Sequence, residues 1–197
     1  MANRNSLTRT RTLTSIAAVA ALGLAGCAGV PRVTNVSFDS FYDGSAVTHA
    51  SSGGAMPLVV RGNPYGVSDD QATAQVAQAM RLPSWFSSRP MAPAPAANGP
   101  SGDYRLVLVF NPERGVGSRR ICRDIDDVRT SGADDFRVYA VFCAGDQYVS
   151  QAFMTVGGAT PRPGTPAFRA AMDPLMDQLF PAENPDRRFF ENEIITG

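Results

Sequence analysis

This chain of 197 residues has no lysine, one histidine, one tryptophan and three cysteines. Each shortage closes off a class of chemistry. Its 18 basic residues, all arginine, balance 18 acids, so no basic excess argues for nucleic acid or an anionic surface as partner. GC-rich coding, where arginine codons are easily reached, accounts for the missing lysine. The lone histidine, His49, is the only available base for a Ser-His-Asp or Cys-His arrangement. It stands among small residues, with Asp43 as its nearest acid. No serine sits in a G-x-S-x-G elbow. Cys122 and Cys143 have no nearby histidine and fall short of the four ligands of a structural zinc site. No apolar run reaches the roughly 20 residues of a membrane span. The sequence therefore assigns no catalytic residue, no metal and no cofactor, and leans away from an enzyme.

Arg4, Arg9 and Arg11, with no acid among them, precede an alanine-rich apolar run from Leu13 to Leu24. That is the charge and length pattern of a secretory signal. The run ends in Leu24-Ala25-Gly26-Cys27, which resembles the lipobox of bacterial lipoproteins. The resemblance implies removal of residues 1–26 as a signal peptide and lipidation of Cys27. The membrane is then a partner, reached through that cysteine. Each buried methylene contributes about 0.8 kcal/mol, so one acyl chain binds marginally and two or three hold firmly. Ala28 stands where that family commonly carries an inner-membrane aspartate. The resemblance thus implies the outer membrane of a Gram-negative bacterium, facing the periplasm. The L-A-G-C start and the later Phe142-Cys143-Ala144-Gly145-Asp146 also make the body similar to small uncharacterised lipoproteins of GC-rich Gram-negative bacteria. That likeness brings no activity with it.

Without residues 1–26, 171 remain, enough for one domain with a real core. The three signal arginines leave too, so 18 acids face 15 arginines and the net charge is −3. Cys122 and Cys143 are an even pair in an oxidising compartment and are expected to form a disulfide, the alternative being two reduced, buried thiols. The loop of about 20 residues would contribute about 3 kcal/mol.

Residues 27–35 are expected to be anchor and tether, followed by a strand from Val36 to Tyr42 and a flexible loop over 43–55. Pro57–Arg61 is a second strand. Ser68, with Gln71 three residues on and Asp69 and Asp70 in the first turn, starts a helix that Pro83 ends. Its apolar side is Ala72, Val76, Ala79 and Met80. Residues 83–103 form a Pro/Ala-rich loop. Tyr104–Asn111 is a central strand, with Tyr104, Leu106, Leu108 and Phe110 on one face and Val107 and Val109 on the other. Residues 113–135 are a polar loop. Phe136–Cys143 and Tyr148–Val156 flank Gly145-Asp146 as a hairpin. A plain two-residue turn pairs Phe142 with Val149 and Val138 with Phe153. Phe136, Val138, Ala140, Phe142, Val149 and Phe153 then face the core. Tyr139, Val141, Cys143, Tyr148 and Met154 face the other way, against the 113–135 loop. Thr165-Pro166 opens a last helix with a Phe168, Met172, Leu175 and Leu179 stripe, kinked or split at Pro174. Residues 36–180 are thus expected to be a single α+β domain, an antiparallel sheet of about five strands with two helices on one face. Residues 181–197 are a tail with the apolar pairs Phe189-Phe190 and Ile194-Ile195.

Three sites stand out for binding. Trp85 and Phe86 open the 83–103 segment, as a latch on the helix end or as an anchor for a partner. Arg114, Arg119 and Arg120 lie in a glycine-containing loop that suits carboxylate or phosphate pairing. They lack the Lys-Ser/Thr ending of a P-loop, and no helix pattern follows. Asp124, Asp126 and Asp127 lack the further ligands of a calcium loop and are expected in a solvated loop beside Arg123 and Arg129. The expected function is a non-catalytic binding or assembly module bearing on another envelope protein. The alternatives are a periplasmic hydrolase and a carrier holding an apolar ligand between sheet and helices.

Overall fold

The computed structural model describes residues 29–94, 104–132 and 135–186. Residues 1–28, including Cys27, residues 95–103 of the Pro/Ala-rich stretch and the tail from residue 187 onward lie outside the described residues. The elements run β1 (Arg32–Phe38), α1 (Gly44–Ala50), β2 (Met56–Arg61), α2 (Asp69–Ala79), a 3-10 turn (Ser84–Phe86) and β3 (Met91–Pro93). They continue as β4 (Tyr104–Phe110), α3 (Ser118–Arg123), β5 (Phe136–Ala144), β6 (Gln147–Val156) and α4 (Pro166–Leu179).

The class is α+β, but the sheet is mixed and six-stranded, ordered β1-β6-β5-β4-β2-β3. β2 runs parallel to both β3 and β4, while the β4-β5-β6-β1 ladder is antiparallel. The all-antiparallel, five-strand expectation fails at β2 and β3. A helix placed between two strands returns the chain to the same end of the sheet, which makes the next strand parallel. α2 does this between β2 and β3. β3 has only three residues and ends in Pro93, which a sheet tolerates at its edge.

Each face of the sheet carries its own core. On one, α1, α2 and α4 cover Leu58, Leu106, Leu108, Phe110, Phe142 and Met154. Three helices pack there, not two. α1 occupies the expected loop because Asp43 caps it, its Oδ1 accepting from Ser45 N at 2.7 Å. With only Val47 and Ala50 buried, α1 leaves almost no apolar period to read. α2 keeps its capping box between Ser68 and Gln71. α4 is capped by Thr165 and continues through Pro174 as one helix, so it is not split in two. The carbonyl deprived of its partner belongs to Ala170, an exposed residue, where water can satisfy it.

On the other face, Ile121, Cys122, Ile125 and Val128 cover Val59, Val107, Val109, Val141 and Cys143. The expected polar loop thus contains a short helix and supplies a second core. The expected Cys122–Cys143 disulfide lies within it, with the Cα atoms 5.5 Å apart.

The hairpin departs from its expected register. Ala144 pairs with Gln147 and Cys143 with Tyr148, but Phe142 then pairs with Ser150 and Val138 with Met154. Val149 is an extra residue, a β-bulge. One added residue exchanges the faces of every later side chain, so Met154 joins the helix-covered core and Phe153 turns to the other face.

The domain also reaches past its expected limits. Gly29 N donates to Gly157 O at 3.1 Å, and β1 pairs with β6 from Arg32, so residues 32–35 of the expected tether belong to the sheet. Beyond α4, Tyr42 Oη donates to Pro181 O at 2.6 Å and Asn184 Nδ2 to Asp39 O at 3.2 Å.

Candidate functional site

A second bulge shapes one recess of the sheet. Thr34 pairs with Phe153 and Ser37 with Gln151, so β1 spends one residue more than β6 over this stretch. Asn35 takes the left-handed conformation there, with φ 52°. The edge strand is pushed aside, and a groove of about 520 Å³ opens beside it. Asn35, Val36 and Ser37 form one wall, Pro112–Val116 the opposite one, and Arg137, Tyr139, Gln151 and Phe153 the floor.

The floor is held from below and from the sides. Tyr139 Oη donates to Gln151 Oε1 at 2.7 Å, and the Tyr139 and Phe153 rings meet edge to face with centroids 6.0 Å apart. Burial raises the Tyr139 pKa above its ordinary value, and a hydrogen bond with Ser118 partly offsets that. Asn111, also left-handed at φ 48°, ends β4 and fixes Arg137. Its Oδ1 accepts from Arg137 N at 3.0 Å, and its own N–H donates to Arg137 O at 2.8 Å. Arg137 Nη2 donates to Ser131 Oγ at 3.1 Å, while Arg137 Nε is buried without an acceptor. A buried guanidinium donor left open is costly, and Arg137 belongs to the floor of the groove.

A neighbouring recess of about 700 Å³ lies between the 61–63 turn and residues 126–130. It is strongly polar. Arg61 Nη2 donates to Asp126 O at 2.9 Å, and its Nη1 lies 4.0 Å from the Asp126 carboxylate. Glu113 borders both recesses.

The arginines singled out in the sequence are dispersed. Arg114 borders the groove at the β1 bulge. Arg119 is exposed on α3, a helix that the sequence pattern did not signal. Arg120 is engaged by Asp127, with Nε donating to Asp127 Oδ2 at 3.0 Å. Asp124 Oδ1 accepts from Asp127 N at 3.3 Å, a turn contact. Among the described residues no group of three or more His, Cys, Asp or Glu side chains is placed to hold a metal. His49 packs edge-on against Tyr104, with ring centroids 5.9 Å apart.

Trp85 is a latch that is half uncovered. Its Nε1 donates to Phe180 O at 2.8 Å, fastening the 3-10 turn to the end of α4, yet 48 % of the residue is exposed. Phe86 packs partly on the main core. Phe41, 83 % exposed, belongs to the neighbouring turn after β1. The layer between sheet and helices, the place where a carrier would hold an apolar ligand, is filled by Tyr42, Phe110, Phe136, Phe142, Phe168 and Phe180.

Arg137 and Gln151 escaped the sequence reading. Each is a polar residue inside a strongly apolar strand, F-R-V-Y-A-V-F-C and Y-V-S-Q-A-F-M, and that interruption was the available signal. Compared with known proteins, the chain matches no family model, no curated protein and no solved structure.

Proposed function

We propose that this chain is an envelope lipoprotein, cut before Cys27 and lipidated there, that serves as a non-catalytic binding or assembly module at the outer membrane and faces the periplasm. The observation that carries the proposal is the short sequence distance from the L-A-G-C run to the folded body. Gly29, two residues after Cys27, is already bonded to Gly157. Two peptide steps span no more than about 7 Å, so a lipid on Cys27 would hold the Gly29–Gly157 end of the sheet at the bilayer surface. Val30, 87 % exposed, would then lie in the interfacial zone. The half-exposed Trp85 and the exposed Phe41 sit at the other end of β1, about 20 Å away, turned toward the periplasm and within reach of another envelope protein. The filled interior favours this reading over an internal carrier of apolar ligands.

The test is the intact mass of the native protein purified from membranes, together with radiolabelled palmitate incorporation. A mature chain beginning at Cys27 with added acyl mass is expected, and Cys27→Ser should abolish both the label and membrane retention. A product beginning at Met1, or an unmodified Cys27 thiol, would overturn the proposal.

A further inference from the structure

We infer that the groove at the β1 bulge binds a small monocarboxylate carrying an aromatic or branched apolar body. The inference stands on the groove itself and does not depend on lipidation of Cys27.

Four observations converge. The first is geometric: the bulge at Asn35–Val36 separates the edge strand from the floor, while the extra residue Val149 brings Gln151 and Phe153 round to that floor. Bulges recur where a sheet re-aims side chains at a site. The second is chemical. Arg137 lines the groove, and Asn111 and Ser131 hold its backbone and Nη2. A planar guanidinium held this way offers a fork suited to a carboxylate. The third is charge. Arg114 and Arg137 face the groove with Glu113, a balance of one positive charge, which suits a monoanion better than a dianionic phosphate. The fourth is the surface beside the fork. Phe153, Val36, Val116 and the Tyr139 ring offer an apolar bed, while the Tyr139 hydroxyl is engaged by Gln151. A recess of about 520 Å³ is of the size that small ligands occupy.

The probe is N-acetylphenylalanine, titrated into the full chain by calorimetry and by amide chemical-shift mapping, with its carboxamide and phenyl phosphate as comparisons. Saturable binding with a dissociation constant on the order of a millimolar or below is expected, with shifts centred on Asn35, Ser37 and Gln151. The carboxamide should bind about tenfold or more weakly, and phenyl phosphate no more tightly than the acid. Arg137→Gln should weaken the acid about ten- to a hundredfold. Arg114→Gln, on an exposed loop where folding is not at stake, should weaken it a few-fold and leave the carboxamide unchanged. The inference is overturned by no saturable binding, by equal binding of acid and amide, by tighter binding of the phosphate, by shifts centred on the Arg61–Asp126 recess, or by affinity unaltered in both arginine variants.

Discussion

Gly62 shows how little room single residues have here. Its φ is +76°, and a Cβ added to it would lie 2.5 Å from Phe110 O. Both the conformation and the close approach require glycine, so Gly62→Ala is expected to cost at least about 1 kcal/mol, read as a fall in the urea midpoint. Asp177 has the opposite character. Burial first, and then Asp173 four residues earlier, raise its carboxyl above the ordinary value of 3.8. The pair also sits near the C-terminal end of α4, where negative charge is disfavoured. A carboxyl whose folded-state pKa is raised contributes stability while protonated, and that contribution is lost as pH rises through the folded value. Asp177→Asn should therefore stabilise the protein at pH 7 by about 0.2–0.5 kcal/mol. Thermal melts at a series of pH values should show the gain vanishing below about pH 4. Burial, and secondarily Asp43, raises the Tyr42 pKa well above its ordinary value. Its hydroxyl, bonded to Pro181 O, should stay protonated until the fold gives way, so absorbance at alkaline pH should change together with unfolding.

Element by element, the sequence was legible wherever side-chain period and burial agree. β4 buries both faces in the expected alternation. α2 and α4 start at the expected caps, and Phe168, Met172, Leu175 and Leu179 are all buried. Three things stayed hidden for separate physical reasons. Strand direction at β2 is set by the α2 crossover and not by the strand's own residues. α1 and α3 are too short and too polar for an apolar period to emerge. The Val149 bulge has no marker in Y-V-S-Q, because the same residues satisfy either register until they are packed against β5. The groove depended on that bulge, so Arg137, Gln151 and Phe153 could not be grouped beforehand. Deleting Val149 would remove the extra residue and leave Phe142 opposite Ser150 and Val138 opposite Met154, so Gln151 and Phe153 should keep their face. Unfolding should stay cooperative, with a stability loss of about 1–3 kcal/mol from the missing buried side chain, read as a lower calorimetric melting temperature.

For the whole molecule, two cores share one sheet, and they are not equally secured. The face under α1, α2 and α4 carries most of the large buried side chains, whereas the α3 face is thinner and depends on the Cys122–Cys143 bond. The double variant Cys122→Ala with Cys143→Ala should lose about 3 kcal/mol. Hydrogen exchange should then quicken in Ser118–Arg123 well before Leu106–Phe110, because the lesser layer can open while the larger one holds.

The ladder of β1 has a bearing on how such a chain is made. Thr34 and its partner Phe153 are 119 positions apart in sequence, and among the described residues β6 is the last strand to leave the ribosome. Until it arrives, Arg32–Phe38 is an unpaired ribbon, and no early local contact can take the place of so distant a pairing. The β1 edge of the sheet is therefore expected to close late, since its partner strand lies near the far end of the described chain.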